Sequence, residues 1–246
     1  MIPYGKHFID EEDIDAVIKV LKSDNLTQGP LIDIFEQEVS KYVGAKYAVA
    51  VTSCTAGLHL ASIVSKIHEG KLLLTSPITF ASTANSALFS GGEVIFADID
   101  SSTINISIDS IKKAILENEV HAIAPVHFGG LPCDMKKIKE SVKNAGVKIY
   151  EDAAHAFGAS YSDGSKVGSC KYSDMTVFSF HPVKSIATGE GGIITTNSEL
   201  IYKQLKRLRN HGLEKNKDNF NSKQNSLTDN LVNPWYYEMQ ELGYNY

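Results

Sequence analysis

Seven short apolar runs recur along the chain, at 46–51, 72–75, 93–97, 122–126, 147–150, 175–180 and 192–196, and their length and bounding turn residues read as strands. Helical stretches separate most of the earlier runs. A strand that is followed by a helix returns parallel to itself, so this order predicts an α/β fold with a mainly parallel sheet covered by helices on both faces. Two helices stand ahead of the sheet. Asp10 can cap the first, whose Ile14, Val17, Ile18 and Leu21 fall on one face, and Leu31, Ile34, Phe35 and Val39 suggest the second. With 246 residues, 43% of them hydrophobic, the chain can bury a substantial core as one α/β domain. It carries no internal repeat.

Several function classes lose support at once. A net charge of −5 provides no basic footprint for nucleic acid. No apolar run approaches the roughly 18 residues of a membrane span. The start, Met1-Ile2-Pro3-Tyr4-Gly5-Lys6, lacks a signal-peptide core, so the default expectation is a cytoplasmic location. Three widely spaced cysteines argue against a disulfide framework. The eight histidines show no metal-ligand spacing, so no metal is expected, and His59, His121 and His127 read as structural. Gly189-Glu190-Gly191-Gly192 lacks dinucleotide-loop spacing. The stretch 215–233, rich in Asn, Lys, Asp and Ser, reads as a mobile loop, and Trp235-Tyr236-Tyr237 is expected to pack on the body or on a partner subunit.

The chemistry concentrates in three places. Lys184 lies in the loop between the runs at 175–180 and 192–196, within Ser179-Phe180-His181-Pro182-Val183-Lys184 and just before Thr188-Gly189-Glu190-Gly191-Gly192. Asp152 follows the run at 147–150 and would project from the carboxyl end of a strand, where open α/β sheets bind ligands. Thr52-Ser53-Cys54-Thr55-Ala56-Gly57 follows the first run and opens an apolar helix, so its amides and hydroxyls can hold an anion. An amine able to form a Schiff base, a carboxylate to keep a ring nitrogen protonated and an anion cradle together describe a pyridoxal phosphate site. Phe80, in Thr79-Phe80-Ala81-Ser82, is a candidate to stack on the ring.

These motifs, together with Leu26-Thr27-Gln28-Gly29-Pro30, Arg209-Asn210-His211-Gly212 and Glu241-Leu242-Gly243-Tyr244-Asn245-Tyr246, resemble the DegT/StrS-type nucleotide-sugar aminotransferases. The likeness is strongest to those acting on UDP-4-keto-6-deoxy-N-acetylhexosamines in pseudaminic acid biosynthesis. The resemblance implies the aspartate-aminotransferase-like type I fold, with residues 1–246 as the pyridoxal-phosphate-binding large domain and the family's smaller C-terminal domain missing from this chain. It assigns covalent attachment and proton transfer to Lys184, the ring nitrogen to Asp152 and the ring hydroxyl to His155. Thr55, Ala56 and Ser179 would hold the phosphate, and Phe80 would stack. Tyr4, Leu26 and Thr27, with Cys54 and His181, match the nucleotide-sugar side, His181 either assisting there or bonding within its loop. Asn245 matches a residue that reaches the neighbouring subunit's site, which implies a homodimer with shared sites. The implied reaction carries an amino group from an amino-acid donor, glutamate by family analogy, to sugar carbon 4. Aminotransfer to a GDP- or dTDP-linked keto sugar, and a non-catalytic cofactor-binding or dimerisation module, stay open as alternatives.

Overall fold

A computed structural model describes residues 5–143, 145–222, 226–228 and 231–246, so Tyr4 lies outside the described residues. Each of the seven runs forms a strand: β1 Tyr47–Val51, β2 Leu72–Thr75, β3 Glu93–Phe96, β4 Val120–Ala124, β5 Lys148–Asp152, β6 Met175–Ser179 and β7 Gly192–Thr196. β4 starts two residues earlier than the apolar run and stops before Pro125, which cannot donate to a ladder. The strands form one sheet in the order β1-β7-β6-β5-β4-β2-β3. β2 to β6 pair in parallel, whereas β7 runs antiparallel to both β6 and β1. A parallel return needs a crossover, usually helical. The segment 180–191 contains no helix, so β7 comes back beside β6 in the opposite sense.

Helices α3 Cys54–Val64, α4 Ala81–Phe89, α5 Ile108–Glu117, α6 Met135–Val142 and α7 Glu199–Arg209 cover the sheet. The side chains of Ser53, Ser107, Asp134 and Ser198 accept first-turn amides and set where α3, α5, α6 and α7 begin. Residues alternate across the strands into two apolar clusters. Val49, Val51, Tyr150, Met175 and Val177 join the α3 side, and Ala48, Ile149, Phe178 and Ile193 join the other. β6 and β7 are buried throughout, which is why their sequences read as continuous runs rather than alternating ones. Phe178, fully buried edge-on to Phe157 at 5.2 Å, contributes about 1.5–3 kcal/mol by leaving water.

The structure adds detail to four of these readings. Helix α1, Glu11–Leu21, has the Asp10 cap, reciprocated by Asp13, but none of its residues is buried. Its apolar face meets no sheet: Val17 is 59% and Leu21 65% exposed. In α2, Pro30–Val43, Val39 and Val43 do enter the core while Leu31 and Ile34 stay outside. The stretch 215–233 is not featureless, since a 3-10 turn at Lys217–Asn219 and a small ladder of β9 Leu227–Thr228 with β10 Leu231–Val232 occur among its described residues. Of the aromatic triplet, Tyr236 packs against Phe220 and bonds Glu238, but Trp235 and Tyr237 remain 67% and 56% exposed. Leu213–Glu214 (β8) and Glu238–Met239 (β11) form another short ladder. Among the described residues no helix is long and apolar enough to cross a membrane.

Candidate active site

The parallel strands bring their carboxyl ends to one edge of the sheet, and the reversed β7 starts there. β1 delivers the Ser53-Cys54-Thr55 turn, β2 delivers Thr79 and Phe80, β4 delivers Val126 and His127, β5 delivers Asp152, and β6 delivers Ser179 with the Lys184 loop. These residues line one cavity of about 560 Å³. The opening of β7 is where glycine is required. Gly192 pairs with Val51 on one side and Ser179 on the other, and a Cβ there would lie 2.5 Å from the Ser53 carbonyl carbon and 2.6 Å from the Cys54 nitrogen. The absent side chain lets α3's N-terminus sit against the sheet.

Within the cavity Lys184 Nζ lies 2.6 Å from His155 Nε2. Burial, then the Lys184 charge, hold the His155 imidazole below its ordinary pKa, which leaves Nε2 free to accept from the amine. Asp152 is 3% exposed. Its Oδ1 accepts from the Ala154 amide at 3.1 Å and its Oδ2 from the Thr83 hydroxyl at 2.6 Å, two of the roughly four acceptor positions a carboxylate offers. The others are available to a ligand donor. Cys54 is nearly buried beside these groups, and burial first, then the Asp152 charge, push its thiol well up, so it stays a neutral wall.

Thr55 lines the cavity at the first turn of α3, where the Cys54 and Thr55 amides have no intrahelical acceptor. The Ala56 amide, by contrast, donates to Ser53 Oγ at 3.1 Å. Ser179 ends β6 at 6% exposure. Phe80 stands at the rim, 77% exposed, and His181 faces Glu190 across the mouth at 3.9 Å. Leu26, Thr27 and Asn245 do not enter this cavity. Leu26 is 65% exposed, and Thr27 and Asn245 line a second hollow with Lys206 and Arg209.

Two features were not read from the sequence. Thr83 is fully buried against Asp152, and its position in a Ser- and Thr-rich stretch gives no hint of that contact. Behind Asp152, on the other face of β5, Glu151 is fully buried and accepts from His127 Nε2, Tyr161, Ser173 and Thr176. The Cys133 amide donates to His127 Nδ1, so that ring carries its proton toward Glu151. Burial opposes the Glu151 charge, but the donors led by His127 hold its carboxyl below the ordinary range.

An amine beside a neutral imidazole, a buried carboxylate with open acceptor positions, and free helix-start amides in one cavity form a donor set that fits pyridoxal phosphate. Known proteins agree. A UDP-4-amino-4,6-dideoxy-N-acetyl-beta-L-altrosamine transaminase of Campylobacter jejuni is 40% identical over 248 residues, 100% of this chain and 60% of its own length. The spore coat polysaccharide biosynthesis protein SpsC of Bacillus subtilis is 42% identical over 244 residues, 99% of this chain and 59% of its own length. Spr1654 of Streptococcus pneumoniae, solved in its PLP-form, superposes with a TM-score of 0.85 at 26% identity, covering 99% of this chain and 62% of its own. The chain thus spans about 60% of the length of the curated relatives it matches. The family profile that matches residues 7–246 agrees with the cavity's chemistry, and the chain belongs to the DegT/DnrJ/EryC1/StrS aminotransferase family.

Proposed function

We propose that this protein transfers an amino group from an amino-acid donor, glutamate, to carbon 4 of a UDP-linked 4-keto-6-deoxy-N-acetylhexosamine. The observation that carries the reading is the 2.6 Å approach of Lys184 Nζ to His155 in the cavity that also contains the buried Asp152. The Campylobacter relative supports the choice of sugar. Bound pyridoxal phosphate supplies an electron-withdrawing ring that accommodates the electron pair left when a carbon beside nitrogen loses its proton.

The chain's residues do the rest. Lys184 Nζ takes the proton from the donor's α-carbon and, in the second half of the reaction, delivers a proton to carbon 4 of the sugar. His155, neutral at working pH, accepts a hydrogen bond from that amine and aims it. Asp152 provides a fixed negative charge at the ring-nitrogen end. The first-turn amides of α3, with Thr55 and Ser179, bind the phosphate. Phe80 covers one face of the ring and keeps water from it. Leu26, Thr27 and Asn245 lie away from Lys184, and the reading assigns them to the cavity of a neighbouring copy in a homodimer. A cytoplasmic location goes with this reading, since nucleotide-activated sugars are its substrates. A different nucleotide-linked keto sugar is the second reading, favoured by the Bacillus relative of similar identity whose name specifies no sugar.

Borohydride reduction of the protein saturated with pyridoxal phosphate tests the site. Mass mapping should find the pyridoxyl group on Lys184, and a label on any other lysine overturns the assignment. Supplying UDP-, GDP- and dTDP-linked 4-keto sugars in turn then decides the substrate.

A further inference from the structure

We infer that Thr83 is a positioning residue for Asp152, fixing the plane of the carboxylate and thereby the chain's grip on the protonated ring nitrogen. The inference rests on the pairing of Asp152 with that nitrogen proposed above. Thr83 is fully buried in the first turn of α4, and its Oγ1 lies 2.6 Å from Asp152 Oδ2 and 2.6 Å from Thr79 Oγ1. A threonine hydroxyl has one proton. Its possible acceptors are the carboxylate, Thr79 Oγ1 and the Phe80 carbonyl at 3.2 Å, and the charged group takes it. Thr83 Oγ1 must then accept from Thr79. The order Thr79 to Thr83 to Asp152 runs from the cavity wall to the buried carboxylate with a single sense.

A second pair of residues fixes this alignment. Three positions along α4, Ser86 lies 3.1 Å from the Tyr150 hydroxyl, and Tyr150 is two positions before Asp152 on the same face of β5. Helix and strand are therefore joined by two polar rungs, Ser86 with Tyr150 and Thr83 with Asp152. Burial pushes the Tyr150 hydroxyl well up, so it stays neutral and that rung is uncharged. Only the Thr83 rung touches a carboxylate. With Ala154 on Oδ1 and Thr83 on Oδ2, both carboxylate oxygens are held while Asp152 lines the cavity.

The experiment compares wild type, Thr83→Val, Thr83→Ser, Asp152→Asn and the Thr83→Val/Asp152→Asn double variant in the full-length protein. Pyridoxal phosphate affinity, the pH dependence of the bound cofactor's absorbance and melting of the cofactor-free protein are measured for each. Thr83→Val keeps the shape and removes the hydroxyl, and should weaken cofactor binding by about tenfold or more and move the pH midpoint of the absorbance change. Thr83→Ser should restore both. In the Asp152→Asn background Thr83→Val should add less than about twofold, because the charge it serves is gone. Wild-type affinity and midpoint in Thr83→Val, with Asp152→Asn impaired, overturn the inference while the Asp152 pairing stands. An equal Thr83→Val penalty in both backgrounds also overturns it, as that is a purely structural effect. An unimpaired Asp152→Asn removes the pairing and the inference with it. If Thr83→Val does not fold, Thr83→Ala is read by the same criteria.

Discussion

Replacing Gly192 by alanine tests whether the close approach of β7 to α3 builds the phosphate cradle. A Cβ at Gly192 would meet three backbone atoms, the Ser53 carbon at 2.5 Å, the Cys54 nitrogen at 2.6 Å and the Ser53 oxygen at 2.7 Å. No flexible side chain can give way. Moving the nearest atom out to ordinary contact near 3.4 Å demands about 0.9 Å of displacement. β7 is held on both sides by β1 and β6, so α3's first turn must move instead. Overpacking of this kind costs about 1–3 kcal/mol, and a misplacement near 1 Å at a reacting centre can cost about 100-fold in rate. Gly192→Ala should therefore lose both stability and affinity for pyridoxal phosphate, and should slow the glutamate half-reaction by roughly two orders of magnitude. Gly44→Ala is the control. Gly44 ends α2 at φ +81 with nothing within 4 Å of its would-be Cβ, so alanine there should cost about 1 kcal/mol of stability with cofactor affinity unchanged. Urea melts and absorbance titration of the cofactor separate the two. A Gly192→Ala protein that binds the cofactor like wild type would refute the reasoning.

Glu151→Gln should destabilise the fold by about 2–3 kcal/mol at neutral pH, since a buried four-donor carboxylate becomes an amide that cannot accept from all four. Because the folded-state pKa of Glu151 is depressed, its stabilisation is present above the unfolded value near 4.5 and is lost as pH falls through the folded one, so urea melts of wild type and variant should converge on acidification. His155→Gln addresses the other titrating group. His155 is neutral until pH drops below its ordinary value of 6.5, so any advantage of wild type over the variant in the rate of cofactor capture should be full above that pH and decline below it in stopped-flow traces. An advantage independent of pH would contradict the role given to Nε2.

What the sequence made legible follows from which signals are local. The strands were readable because burial on both faces leaves unbroken apolar runs, as in β6 and β7. Asp152 and Lys184 were readable because each follows such a run at the ligand-binding edge. Thr83 was not, since its partner lies 69 positions away and no local pattern marks the contact. The orientation of β7 was also hidden, because it depends on the lack of a crossover helix rather than on any residue within the strand. For α1 the amphipathic pattern was correct but could not say what the face meets, and none of its residues is buried. Leu26 and Thr27 were grouped with the site by resemblance and Asn245 with a neighbouring subunit's site, and Thr27 and Asn245 face a separate hollow.

The place of β7 between β1 and β6 has a kinetic consequence. β7 lies between β1 and β6, and its register pairs Tyr47 with Thr196, so closing the sheet joins segments separated by most of the chain. Such distant pairing bears a large loop-closure entropy and is slow relative to helix formation. Until β7 inserts, the α3 turn and the Lys184 loop stand on two unconnected pieces of sheet, β1 alone and β6 with its parallel neighbours. The two ends of the cofactor's berth are thus joined by one of the most non-local steps of folding, and a chain stalled before that step would have much of its secondary structure but nowhere to hold the cofactor.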